Sequence, residues 1–255
     1  MARIISIVNQ KGGVGKTTTA VNLAAYLAAF GHRVLLVDVD PQGNASSGLG
    51  IDYRNLSRGI YEVLIDPSLS IREIVKIISE NLHLAPSTPN LAGASVELVN
   101  RPQREFVLRD NLKDVLELYD FILIDNPPSL GLLTINSLVA AREVLIPVQC
   151  EYYALEGLGQ LLHTITLIKE HINPQLEVLG AVMTMYDQRS KLSEEVFYEL
   201  YKFFPRKIFR SVIPRNVRLA EAPSHGKSIR DYDNLSRGGR AYKKLTREIL
   251  ASIPI

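Results

Sequence analysis

Residues 10–17 read QKGGVGKT, a glycine-rich turn between an apolar, β-branched run (RIISIV, 3–8) and small and apolar residues at helical spacing (KTTTAVNLAAYLAAFG, 16–31). Few local sequences restrict a fold so narrowly. Glycines let the backbone visit positive φ and bring its N–H groups close to a ligand. A helix starting just afterwards aims its own amides and dipole at the same point, which makes a cradle for phosphate groups. The usual spacing is G-x-x-x-x-G-K-[ST]. Gly15, Lys16 and Thr17 supply its end, but position 10 holds Gln10 where the first glycine belongs, and an additional lysine, Lys11, opens the loop. Lys16 is placed to reach the β- and γ-phosphates of a nucleotide, and the Thr17 hydroxyl to ligate Mg²⁺. Amides of Gly12, Gly13, Val14, Gly15 and Thr18 are expected to complete the cradle. A ligand-free turn and a solvated surface lysine are the plain alternatives for the loop and for Lys11.

Four further apolar runs follow: RVLLVDVD (33–40), FILID (121–125), EVLIPVQ (143–149) and LEVLGAVMT (176–184). Continuous runs of this kind suit strands buried on both faces. Helical patterns lie between them at 91–99, 103–118, 131–141, 154–172 and 190–203. Alternating strands and helices predict an α/β fold, a doubly wound, mostly parallel sheet flanked by helices in a single domain over 1–255. The segment 51–90, with Pro67, Pro86 and Pro89, suggests short helices and a short strand.

Asp38 and Asp40 alternate at the carboxyl end of the second run, and Asp125 ends the third. Ligands bind at that edge of such sheets. Asp125 has the position of a carboxylate that holds Mg²⁺ directly or through water. An ordinary turn with Asp40 as a helix cap is the competing reading of 38–50.

Composition narrows the partners. The single cysteine, Cys150, cannot form an internal disulfide, which suits a reducing cytoplasm, and neither a signal-peptide layout nor a membrane-length apolar stretch is apparent. The net charge of +2 conceals an asymmetry. Residues 1–185 carry 14 Lys and Arg against 19 Asp and Glu, whereas residues 186–255 carry 15 against 8. A basic end on an acidic chain points to an anionic partner, nucleic acid or a membrane surface. The stretch includes Arg189, Arg210, Arg215, Arg218, Lys227, Arg230, Arg237, Arg240, Lys243, Lys244 and Arg247, without a base-reading module such as a zinc finger. The final segment RAYKKLTREILASIPI is amphipathic and basic, so it suits a membrane-surface helix. Leu245, Ile249 and Leu250 equally suit a last helix packed on the sheet.

KGGVGKT, DVDPQGNASSGLG (38–50), NPPSLG (126–131), PVQCEYYALEGL (147–158), VMTMYDQR (182–189) and VIPRNVRLAEAPSHGKSI (212–229) together resemble the deviant Walker A ATPases, and within them the ParA type that segregates chromosomes and plasmids. The resemblance runs essentially end to end. It implies a P-loop NTPase that hydrolyses ATP with Mg²⁺ and closes as an ATP-bound sandwich homodimer, Lys11 reaching into the partner's nucleotide. It implies that Asp40 orients the attacking water, Asp38 lies near the metal, and Pro214 and Asn216 contact the base. It also implies non-specific binding of double-stranded DNA, with Arg189 and Arg218 on that surface. Arg215, Lys227, Arg230, Lys243, Lys244 and Arg247 are the further candidates. A ParB-type centromere-binding partner and a cytoplasmic, nucleoid-associated location follow by the same route. Asn126 departs from the small or sulfur-bearing residue common at its position. The related MinD type, which attaches to membranes, and a small-molecule kinase or synthetase are the rival readings; the nitrogenase iron protein needs two cysteines per subunit and is excluded.

Overall fold

A computed structural model of the chain describes residues 1–151, 157–187, 189–205 and 207–252. Seven strands form one sheet: β1 (Arg3–Ile7), β2 (Val34–Asp38), β3 (Lys76–Ser79), β4 (Leu82–Ala85), β5 (Phe121–Asp125), β6 (Glu143–Gln149) and β7 (Glu177–Thr184). Their order is β3-β4-β2-β5-β1-β6-β7. All neighbours run parallel except β3 and β4, which pair antiparallel at one edge. The five apolar runs are the five parallel strands expected of them. Every residue of β2 and β5 is buried, as continuous apolar strands covered on both faces require. The segment 51–90 holds two strands where one was expected. Its second, β4, is largely buried beside β2, while the edge strand β3 alternates between half-buried and exposed residues and leaves a weak apolar signal.

The helices are α1 (Lys16–Ala29), α2 (Asn44–Gly48), α3 (Ile60–Ile65), α4 (Ala94–Glu97), α5 (Val107–Leu112), α6 (Leu132–Ala140), α7 (Leu158–His171), α8 (Lys191–Phe203), α9 (Val217–Glu221), α10 (Ile229–Asp233) and α11 (Arg237–Ala251). The patterns at 131–141 and 190–203 are helices as expected. That at 154–172 is α7 from Leu158, and its residues 154–156 lie outside the described residues. The patterns at 91–99 and 103–118 are corrected: short α4 and α5 are flanked by 3₁₀ turns. One cause is visible. The Asn136 side chain accepts from Leu108 N at 3.1 Å and donates to Arg104 O at 2.9 Å, occupying the two groups that a continuous helix would join to each other.

One face of the sheet packs on α1 and the C-terminal helices, the opposite face on α3 to α6, and the β6–β7 end on α7 and α8. Helix α1 is buried along most of its length, so its alanines are what allow close approach to the sheet. In α11, Tyr242, Leu245, Thr246 and Ile249 are buried and Leu250 packs against the same core. The Tyr242 hydroxyl lies 3.1 Å from the Thr19 hydroxyl of α1. The apolar stripe that suited a membrane surface is therefore already covered by the domain, and no described helix is long and apolar enough to cross a membrane.

Candidate active site

The glycine loop leaves β1 and is pinned at both ends. Asn9 accepts from Lys11 N at 2.9 Å and donates to Pro147 O at 2.7 Å, tying the loop's start to β6. Thr184 donates to Val14 O at 2.8 Å, tying its middle to the end of β7. Gly13 and Gly15 have φ of +75° and +87°, the left-handed region that other residues enter only with strain. Gly15 is also the residue from which α1 starts, so the loop amides and the helix N-terminus share one concavity. Gly12 is exposed and Val14 buried.

Lys16 is 6% exposed, and its Nζ donates to Lys11 O at 3.1 Å, folding the side chain back over the loop. Burial pulls its pKa below the ordinary lysine value, and the charges of Asp125 and Asp40 pull the other way. An ammonium held in this manner lacks only an anionic ligand.

Asp38 and Asp125 face each other in register at the ends of β2 and β5. Both are completely buried, yet they differ in satisfaction. Asp38 accepts from Ser46 N at 2.8 Å, from Ser46 Oγ at 2.7 Å and from Asp40 N at 3.2 Å. Burial still lifts its pKa to about 6. Neither oxygen of Asp125 has a hydrogen-bond partner. Burial, and next the charge of Asp38, raise its pKa well above the usual carboxylate range. The Thr17 hydroxyl is near enough to counter that rise without making a hydrogen bond of ordinary geometry. A buried carboxylate left without partners opposes folding unless a cation meets it. Magnesium fits: its octahedral shell takes one or two protein oxygens and fills the rest with water and phosphate.

Asp40 is 5% exposed at the head of the turn into α2. Its Oδ1 accepts from Gln42 N and its carbonyl from Gly43 N, each at 2.9 Å. Asn126 is fully buried. Its amide donates to Ser6 Oγ, Ile7 O and Ile124 O, so it ties β1 to β5 just behind Asp125.

Beside Gly15 and Thr18 opens a cavity of about 200 Å³ bounded also by Thr184, Met185, Pro214 and Asn216. The structure thus brings Pro214 and Asn216 to the loop from a distant part of the chain. Asn216 Oδ1 is buried and has no partner. Met185 holds φ of +52°, an unfavourable backbone state at the cavity wall.

Lys11 lies apart from Lys16 at the rim. Its Nζ is 3.5 Å from Glu151 Oε2, and Arg215 approaches the other oxygen of Glu151 at 3.8 Å. Of the remaining basic candidates, Arg189 and Arg215 line one cavity. Arg189 bonds Asp187, Arg218 bonds Glu221 and sits 3.7 Å from Asp233, and Arg230 bonds Asp231. Lys243, Lys244 and Arg247 are exposed along α11, with Arg247 over the Phe30 ring. Lys227 is set apart from these, beside Thr17, Thr18 and Asn22.

Sequence reasoning did not find Asn9, Asn22, Ser46 or Thr184. Asn22 accepts from Ile229 N at 2.7 Å and so fastens α10 to α1. Asn9 and Thr184 are polar residues ending apolar strands, a usable signal; Met185 carries none.

Residues 2–178 match the family described as an AAA domain. The chain is 54% identical to the sporulation initiation inhibitor protein Soj of Bacillus subtilis strain 168, over 99% of this chain and all of that one. It is 53% identical to the chromosome partitioning protein ParA of Myxococcus xanthus, over 98% of this chain and 88% of that one. Among solved structures it is similar to the cobyrinic acid a,c-diamide synthase of Mycobacterium smegmatis with bound ADP and magnesium, at 36% identity and a TM-score of 0.87, covering 98% and 94% of the two chains. With a strand-to-helix glycine loop, a buried lysine and near full-length identity of this order, the chain belongs to the Soj/ParA family of chromosome-partitioning ATPases.

Proposed function

We propose that this ATPase acts as a nucleotide-gated DNA-partitioning device: two copies close around ATP, the closed pair holds duplex DNA without sequence preference, and hydrolysis releases it. The observation that carries the nucleotide half is Asp125, buried with both oxygens unpartnered beside the glycine loop and Lys16. Thr17 and Asp125 are the residues to hold magnesium, Asp38 standing next to them. When bound, the ion supplies positive charge that neutralises the phosphates.

The loop amides and Lys16 bind and orient the β- and γ-phosphates, and the cavity lined by Pro214 and Asn216 takes the base. Asp40 accepts a hydrogen bond from the attacking water and aligns it with the γ-phosphorus. The burial of Asp38, Asp40 and Lys16 excludes bulk water from this corner. Lys11, held at the rim by a half-buried Glu151, is free to leave it for the partner's phosphates, where a cation opposes developing charge.

For DNA, the support is the basic C-terminal region together with the lack of any base-reading module. Duplication of the patch in a dimer couples DNA retention to nucleotide state. A ParB-type partner accelerating hydrolysis and a nucleoid-associated cytoplasmic location complete the reading. The test is ATP turnover and retention on DNA, measured for the native chain and for Arg189→Ala/Arg218→Ala. The variant should lose DNA retention while ATP-dependent dimerisation survives; equal loss of both refutes the assignment of these two residues.

A further inference from the structure

A further cavity, of about 370 Å³, shares Tyr186 and Pro214 with the cavity lined by Arg189 and Arg215. Arg210, Arg237, Arg240 and Lys244 line it. Among the described residues none of these four is within 4.0 Å of a carboxylate oxygen, unlike Arg189, Arg218 and Arg230 nearby. Two carboxylates stand near them without an ion pair to any of the four: Glu248 accepts from Arg210 N at 2.7 Å and Ser211 N at 3.0 Å, and Asp187 feels the charge of Arg237. Like charges concentrated around a concavity without counter-ions repel one another, so the arrangement favours an anion.

An independent feature lies at the wall of the same cavity. Ser211 is 2% exposed and lines the cavity, and its Oγ has no hydrogen-bond partner. A buried hydroxyl without a partner is costly unless a ligand supplies one. Four cations outside ion-pair distance of a carboxylate, with one unpartnered hydroxyl, match the needs of phosphate oxygens, and their four charges exceed the roughly two that a single phosphate carries.

We propose that this cavity is a polyphosphate-binding site, distinct from the glycine loop, in which Ser211 donates to one phosphate oxygen while Arg210, Arg237, Arg240 and Lys244 neutralise the group. Its ligand carries at least two closely spaced phosphates, either as a free phosphorylated small molecule or as consecutive phosphates of a nucleic-acid backbone. The site stands whether or not the chain partitions DNA.

The test uses the full chain saturated with ADP in magnesium-free buffer, so that the glycine loop is filled. Inositol hexakisphosphate, too bulky for that loop, is titrated calorimetrically against the native chain, Arg210→Gln/Arg240→Gln and Ser211→Ala. One saturable site is expected, weakened at least tenfold in the double variant and severalfold in Ser211→Ala, with ADP affinity and circular dichroism unchanged. Ser211→Ala removes no existing hydrogen bond and leaves the charge intact, so it separates a built site from diffuse attraction. Loss in the double variant without loss in Ser211→Ala, or no saturable binding to the native chain, overturns the proposal. Competition by a 20-base-pair duplex identifies backbone phosphates as the source, and absence of competition identifies a free polyphosphate.

Discussion

Asp125→Asn should stabilise the empty protein while abolishing its response to magnesium nucleotide. The carboxylate is completely buried and neither oxygen is hydrogen-bonded, so its ionisation carries a desolvation cost that no hydrogen bond offsets. Such a group costs about 1–3 kcal/mol, and more when charged. Lys16 lies close enough to lessen that cost, so a net gain of about 1–3 kcal/mol on neutralisation is the expected outcome. In a chain of this size each kcal/mol moves the melting temperature by about 2–4 °C. Melting followed by circular dichroism, without nucleotide at pH 7.5, should therefore place the variant about 2–12 °C above the native chain. The sign of the pH dependence is fixed by the raised pKa. The folded state holds its proton more tightly than the unfolded state, so ionisation of Asp125 opposes folding above the ordinary aspartate range, and the advantage of the variant shrinks as pH falls. With magnesium and ATP the order reverses, because only the native chain gains binding energy from the ion. A variant that melts below the native chain without ligand refutes the account of Asp125 as a strained metal ligand.

Asp40→Ala should leave ATP-dependent dimers and DNA retention while steady-state phosphate release stops; persisting turnover excludes Asp40 as the residue that aligns water. Glu151→Gln frees Lys11, but both partners of that pair are partly exposed, so the monomer–dimer constant measured by sedimentation with ATP should shift by less than about fivefold. Leu245→Ala removes a fully buried side chain from the contact of α11 with α1 and should cost about 2–5 kcal/mol in urea unfolding, with liposome binding unchanged because that face is not available to lipid.

The parallel sheet and the glycine loop were legible because each is dictated locally. Runs such as FILID have no polar face to expose, and Gly13 and Gly15 occupy φ values that the sequence can name in advance. Asp38 and Asp125 were legible as carboxylates at one edge of the sheet but not as unlike ones. Their difference lies in Ser46, which comes from α2 and satisfies Asp38 alone. The broken helix over 103–118 was illegible for the same kind of reason: Asn136, far along the chain, intercepts a backbone hydrogen bond that periodicity alone assigns to a helix. Sequence patterns report what a segment does by itself. Here the site is completed by what α2, β7 and the 212–216 segment bring to it.

The same distinction bears on the basic surface and allows its strength to be bounded. Counting cations in the C-terminal region overstates the net counter-ion release on DNA, because Arg189, Arg218 and Arg230 already face carboxylates and exchange that partner for a phosphate, which positions the duplex without adding net charge. Of the candidates, Lys227, Lys243, Lys244 and Arg247 have no carboxylate oxygen within 4.0 Å among the described residues. If each neutralises one phosphate, a single copy releases about four counter-ions, which gives a slope of log affinity against log salt near −4, and a closed pair about −7. Over the range from 50 to 200 mM salt the pair then loses about four decades of affinity, the single copy about two. Fluorescence anisotropy of a labelled duplex, with the Asp40→Ala chain held in ATP and the native chain in ADP, reads both slopes. Equal slopes in the two nucleotide states mean that pairing adds no phosphate contacts, and the coupling of DNA retention to dimerisation then has no electrostatic basis.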